Sequence, residues 1–427
     1  MAYSHQVIQD RPLIDCAEID ISTADRSILR DLAHTYQSFL ELPVEAEKLM
    51  LQQRKNDLDW VRPTVICFPE ISWREIVPAG SLICQGQLAR SWETRLRQSI
   101  FIAEMGSDQC LSPVFPVGYV HEGLDWGVAM RQEGDLTHGS YRWEAPLKTE
   151  EDLSKVLSPV MVVDFTASEQ LLALARQVFT GILSVVRHES WYWTNGLTQT
   201  FIHLRGLEQM MYDMMDHPAF VHALMTKLRD GTLLFLEELE SRQLLFPNWG
   251  IHYCGSGGIG ATRQLPGDDF SGQVRLRDQW GFSESQETVG VSPRMFDSFI
   301  FPYQLPILEK FGLNYYGCCE PVDQRWKSLP QIPNLRRVSV SPWSSREKMA
   351  DFLGRQYVFA LKPNPAVMAF DTFPEDEIRA YTRETLAIAG ECHLEFILKD
   401  VTTVNHEPQR INRWIQIVKE EILNFSY

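Results

Sequence analysis

The chain has 427 residues, 44% of them hydrophobic and 22% charged, the balance of a protein with a sizeable core. Its 40 basic and 56 acidic side chains leave a net charge of −16. A field of that sign repels phosphate backbones and anionic lipid surfaces, which excludes nucleic acid and membrane as partners.

The opening stretch MAYSHQVIQDRPLID has no basic segment followed by an apolar run, and no stretch approaches the roughly 20 apolar residues that span a bilayer. The expectation is a cytoplasmic chain whose eight cysteines are thiols or metal ligands rather than disulfides. From Thr23 to about Asp57 apolar residues recur at helical spacing, and Pro43 restarts a second helix. TVICF (64–68) is a short β-branched strand run, followed by a helix start in PEISWREI. Arg90 to Glu104 is a further helix. Phe115 to Trp143 is rich in Gly, aromatics and turn residues, with strand-like VFPVGYVHE. KTEEDLSKV (148–156) carries a helix-capping pattern at Thr149.

From there strand and helix signals alternate. MVVDF precedes SEQLLALARQVF, and GILSVV precedes a long helical stretch from Gly196 to about Arg242, broken at Asp216-His217-Pro218. GIHYC, DQWGFSESQE, LNYYGCC, RRVSVS, YVFALK and LEFILKDV are further strand runs. About eight βα units predict an α/β fold, a (β/α)8 TIM barrel with inserted loops over residues 61–427, preceded by a helical N-terminal extension over 1–60. No GxGxxG follows a strand, which argues against a dinucleotide fold.

Barrel active sites lie at the C-terminal strand ends. Those ends carry Cys318 and Cys319, His252 and Cys254, Glu284 and Glu287, Lys362, and Lys399 with Asp400. His252 and Cys254, two apart, share one side of an extended strand. With a cysteine from another strand they would form a three-ligand zinc site with one position open. Adjacent Cys318 and Cys319 would point to opposite faces of a strand, so only one of them should reach the metal easily, although free cysteines also serve as core packing. Glu287 is a candidate general base. Lys399 and Asp400 are candidates for catalysis or for an internal ion pair. The WYW run (191–193) with Trp193, the Gly-rich loop GSGGIG (255–260) with Gly257, and Lys362 are candidates for contact with substrate.

The segments KTEEDLSKV, GLEQMMYDMMDHPAFVHALM and SPRMFDSFIFPYQLPILEKFG, in that order, resemble the uroporphyrinogen decarboxylase superfamily from about residue 60 onward. Ser292, Pro293, Phe296, Phe299, Pro302 and Tyr303 fit its SP-x-x-F-x-x-F-x-x-PY pattern, which precedes the fifth barrel strand. The Met-Arg-Gln-Ala-Gly-Arg motif of the decarboxylases is missing; AMRQEGD (129–135) lacks the final Arg. The resemblance therefore implies the zinc-dependent methyltransferase branch. Its members move a methyl group between a small methylated substrate or thiol and a corrinoid protein. On that likeness Cys319 stands where the family holds a metal-binding Cys, Gly317 where it holds His, and Lys399 and Asp400 where it holds a further Cys. The implied cofactors are zinc and a cobalamin on a separate corrinoid protein, since no Asp-x-His-x-x-Gly motif is present here. A homodimer is compatible with these partners. The alternatives are a uroporphyrinogen decarboxylase-like lyase and a non-catalytic ligand-binding barrel.

Overall fold

The structure, a computed structural model, describes residues 7–129, 131–134 and 141–426. Eight short strands carry the fold: β1 (Thr64–Cys67), β2 (Val114–Val117), β3 (Ser184–Arg187), β4 (Trp280–Ser283), β5 (Leu313–Tyr316), β6 (Leu335–Val340), β7 (Val358–Leu361) and β8 (His393–Leu398). Six of them form one all-parallel sheet in the order β1-β8-β7-β6-β5-β4, so the first of the eight lies against the last. β2 and β3 form a separate parallel pair. The edges of the six-stranded sheet are tied to the chain around that pair: Asp108 N–H donates to Val65 O at 2.7 Å, and Asn195 N–H donates to Phe282 O at 2.9 Å.

Period-two alternation sorts the strand side chains into two cores. Ile66, Phe282, Tyr315, Ala360 and Ile397 share one cluster with Cys254 and Cys318. Val65, Tyr316, Phe359, Phe396 and Leu398 face the other way and pack with helical residues such as Trp414 and Ile415. Strands covered on both faces read as the continuous apolar runs that made them visible in the sequence.

The N-terminal helices α1 (Thr23–Leu40) and α2 (Val44–Asn56) begin where expected, α1 capped by Ser22, whose hydroxyl accepts from Asp25 N–H. α2 reaches into the strands. Its Lys55 pairs with Glu395 of β8, which also pairs with Arg337 of β6, and all three side chains are fully buried. Asn56 Oδ1 accepts from Arg337 at 2.7 Å. These groups sit near the N-terminal ends of β1, β6 and β8, opposite the strand ends where chemistry is expected.

The SP-x-x-F segment behaves as its residues dictate. Ser292 caps and Pro293 opens the helix Pro293–Phe299, which buries Phe296 and Phe299 before a second short helix, Phe301–Leu308, leads into β5. The predicted helical stretch after Gly196 is three helices, Thr198–Arg205, Leu207–Asp216 and Pro218–Ser241. The break at His217-Pro218 was foreseen; the one at Gly206 (φ 96°) was not. KTEEDLSKV forms a 3-10 turn, Glu150–Lys155, with the Thr149–Asp152 capping box.

Two strand expectations are corrected. MVVDF forms the strand Met161–Asp164, but it pairs with Ile8–Asp10 and Val120–His121 outside the main sheet. GIHYC is not a sheet strand: it enters a hairpin in which Tyr253 bridges to Ile259 and Gly260 N–H donates to His252 O. Apolar composition marks both as extended, but only the surrounding packing decides what each pairs with. Of the AMRQEGD segment, Met130 and Asp135 lie outside the described residues. Among the described residues no helix is long and apolar enough to cross a membrane.

Candidate active site at the strand ends

β5 ends at Gly317, whose φ of 96° suits only a residue without a side chain. The turn removes the strand alternation expected for the next two residues. Cys318 is buried and Cys319 partly buried, and their Sγ atoms converge to 3.6 Å. The expectation that the two thiols face opposite sides is thus corrected, because the strand stops one residue too early for it.

The hairpin brings Ser256 to Cys318. Gly255 (φ 75°) passes so close to β4 and β5 that a Cβ would lie 2.5 Å from the Phe282 ring and 2.7 Å from that of Tyr315. At Gly257 (φ 85°) a Cβ would lie 2.6 Å from Ile397 of β8. The close approach expected of the Gly-rich loop is therefore made to the chain's own strands. Tyr315 holds the tip by donating its hydroxyl to Ser256 O at 2.8 Å.

Ser256 Oγ donates to Cys318 Sγ at 3.1 Å. Lys362, buried at the end of β7, donates Nζ to Ser256 Oγ at 2.6 Å, to Ser339 Oγ at 2.5 Å and to Cys318 O at 3.4 Å. On the far side Cys319 Sγ lies 3.7 Å from Asp400 Oδ2. Lys399 pairs with Asp400 at 3.3 Å and with Glu70, after β1, at 3.4 Å. Glu320 ties the β4 and β5 ends together, accepting from Ser285 N–H and Cys318 N–H, each at 2.9 Å.

These neighbours act on the thiols. The hydrogen bond from Cys319, then the Lys362 and Lys399 ammonium groups, bring the Cys318 thiol down to about 6. The same contact raises Cys319. Burial brings Lys362 down to about 8. The pair therefore shares one proton at neutral pH, with the thiolate on Cys318. The thiolate absorbance of the Cys318–Cys319 pair is expected to rise with pH through a midpoint near 6. Lys362→Met should move that midpoint upward by removing a neighbouring cation. A wild-type midpoint at the ordinary thiol value of about 8.5 would show that the lysines do not act on it.

The other predicted residues lie elsewhere. His252 stacks on His188, ring centroids 4.4 Å apart, and burial followed by His188 brings it down to about 4. Cys254 is 1% exposed, and burial holds its thiol up at about 11; the charges acting on it are Arg337, Glu395 and Lys55, at the opposite strand ends. Trp193 lines a cavity of about 330 Å³ with His188, His252, Tyr253, Trp280 and Phe282. Glu287 accepts from Thr198 Oγ1 at 2.6 Å.

The donor chemistry bears on zinc. Two thiolates on one tetrahedral zinc stand about 3.8 Å apart, given Zn–S bonds of about 2.3 Å. The Cys318–Cys319 separation of 3.6 Å fits two corners, and Asp400 stands 3.7 Å from one of them. Among the described residues, however, no group of three or more His, Cys, Asp and Glu side chains is placed to hold a metal ion. The set His252, Cys254, Cys318 and Cys319 is not brought together as a metal site among the described residues: His252 stacks on His188, and Cys254 packs in the same cluster as Cys318 without joining a ligand group.

Sequence reasoning missed Ser256, Ser339, Glu70 and Tyr315. Small hydroxyls and a Tyr inside a strand carry no spacing signal; only the hairpin's entry among the strands gives them a role.

The fold and site define a parallel α/β protein with a paired-thiol centre flanked by two lysines. No family model matches the chain, and no curated protein matches it. Among solved structures it is similar to a methyltransferase from Methanosarcina mazei, at 11% identity and a TM-score of 0.49, over 88% of this chain and 98% of that one.

Proposed function

We propose that the chain is a methyltransferase built on a (β/α)8 barrel, moving a methyl group between a small methylated substrate or thiol and a corrinoid protein. The observation that carries the reading is the convergence of Cys318 and Cys319 at a strand end, with Lys362 and Lys399 on either side. Eight strands, a first strand paired with the last, and hydrogen bonds bridging both sheet edges support ring closure. The resemblance in the SP-x-x-F-x-x-F-x-x-PY segment adds the superfamily and the zinc-dependent branch.

In this reading Cys318, Cys319 and Asp400 would hold zinc, which would supply Lewis-acid activation of a thiol or ether. The chain's own groups do the rest. Lys362 and Ser256 keep Cys318 ionised, Lys399 positions Asp400, and the aromatic cavity by Trp193 receives an apolar methyl-bearing group. The corrinoid protein docks over the strand ends.

The test is anaerobic incubation of zinc-loaded protein with methylcobalamin and a panel of small thiols. Loss of the methylcobalamin absorbance should accompany a thioether product seen by mass spectrometry. Conversion of uroporphyrinogen to coproporphyrinogen, with no methyl transfer, would instead establish the decarboxylase reading.

A further inference from the structure

The turn after β4 buries Glu284 beside Glu287 and Glu320, and the buried cation Arg325 bonds the same turn at Thr288 O and Thr288 Oγ1. Glu284 is fully buried. Its Oε2 accepts from Gln286 N–H at 2.9 Å, while Oε1 has no hydrogen-bond partner among the described residues. Gly196 lies directly against it: a Cβ there would stand 2.7 Å from Oε1. The titratable groups acting on Glu284 are Glu287 on its own turn, Glu320 and Cys318 after β5, and Tyr316 at the end of β5. Both oxygens of Glu320 are committed to the backbone N–H groups of Ser285 and Cys318, and Glu287 accepts from Thr198. Glu284, fully buried with a spare oxygen, is the carboxyl that keeps its proton. Burial first, then Glu287 and Glu320, push it well above the usual carboxylate range.

We propose that Glu284 is the proton donor of the thiol site, serving a methyl ether substrate, with half-buried Glu287 as the route by which its proton is replaced from solvent. This rests on the methyltransferase reading. An alkoxide leaves as poorly as hydroxide, whose conjugate acid has a pKa near 15.7, so C–O cleavage needs a proton where the charge develops. The methyl–oxygen bond breaks, and its electron pair stays on oxygen. The methyl group is taken by an electron pair supplied by the reduced corrinoid of the partner protein. Glu284 gives its proton to the oxygen, the product is the alcohol, and the carboxylate left behind is reprotonated from water.

Two readouts test this, one of them independent of turnover. A carboxyl whose folded value is raised contributes stability that is full below the unfolded value and is lost as pH rises toward the folded one. Glu284→Gln is neutral at every pH, so its Tm should gain on the wild type steadily as pH rises above the ordinary carboxylate value of 4.5. The second readout compares a methyl ether with a methyl sulfonium donor, whose leaving group needs no proton. Glu284→Gln should lose about 100-fold more rate with the ether than with the sulfonium, in the range general acids supply. A Tm difference that stays flat with pH would overturn the proposal, and so would equal losses with both donors. Absence of transfer from either donor by the wild type would bring down the methyltransferase reading and the catalytic role with it, whatever the melting curves show about the proton.

Discussion

Cys318→Ser and Cys319→Ser are each expected to abolish stoichiometric zinc binding, under conditions where the wild type holds about one equivalent per chain. Their thiols converge to 3.6 Å, so either substitution removes one of the two thiolate ligands. The loss should exceed the roughly 10–100-fold that removal of an outer-shell partner costs. Had the strand run on through Cys319, one of the two variants would have served as a silent control. Gly317 ends the strand first, and the silent control is instead Cys254→Ser, since Cys254 faces the Lys55, Glu395 and Arg337 cluster. Elemental analysis and melting temperature of the three variants decide the matter. Full zinc in both Cys318→Ser and Cys319→Ser would mean that the pair is not a ligand set.

The second large effect concerns stability. Glu395→Gln should destabilise the fold by about 3–5 kcal/mol, because it leaves Lys55 and Arg337 as uncompensated charges at sites of zero exposure. Arg11→Ala, which breaks a pair with Glu122 at 60% and 56% exposure, should cost no more than about 1 kcal/mol through that pair. The contrast follows from desolvation: the surface charges return to water and the buried ones cannot. Burial alone would raise the Glu395 carboxyl, but Arg337 and Lys55 hold it below the ordinary 4.5. Its contribution is therefore full above the unfolded value and is lost as pH falls through the lower folded one. Urea unfolding of wild type and Glu395→Gln should converge under strongly acidic conditions. A cost under about 1 kcal/mol at neutral pH would mean that water reaches the cluster.

The strands were legible because both faces are buried, which makes each a largely apolar run: TVIC, LNYY, VFAL and HLEFIL are buried at every position, Asn314, His393 and Glu395 included. The helix boundaries at Ser22, Ser292 and Pro218 were legible for the same local reason, since caps and prolines act on the turn they occupy. The Cys-Cys pair stood out at a strand end, and there it is. By itself, then, the sequence determined most element types, the alternation of strand and helix, and the place of the thiol pair at a strand end.

Tertiary structure decided what those elements face. GIHYC has the composition of a strand, yet it turns back as a hairpin whose glycines slip between Phe282, Tyr315 and Ile397. That insertion carries Ser256 to Cys318 and leaves His252 stacked on His188. A single positive φ at Gly317 turned two thiols that alternation would have separated toward one another. Local patterning fixes which residues prefer to be extended or helical. Contacts between segments far apart in the chain, such as the 62 residues between Ser256 and Cys318 or the 340 between Lys55 and Glu395, arise only when the packed strands close over them.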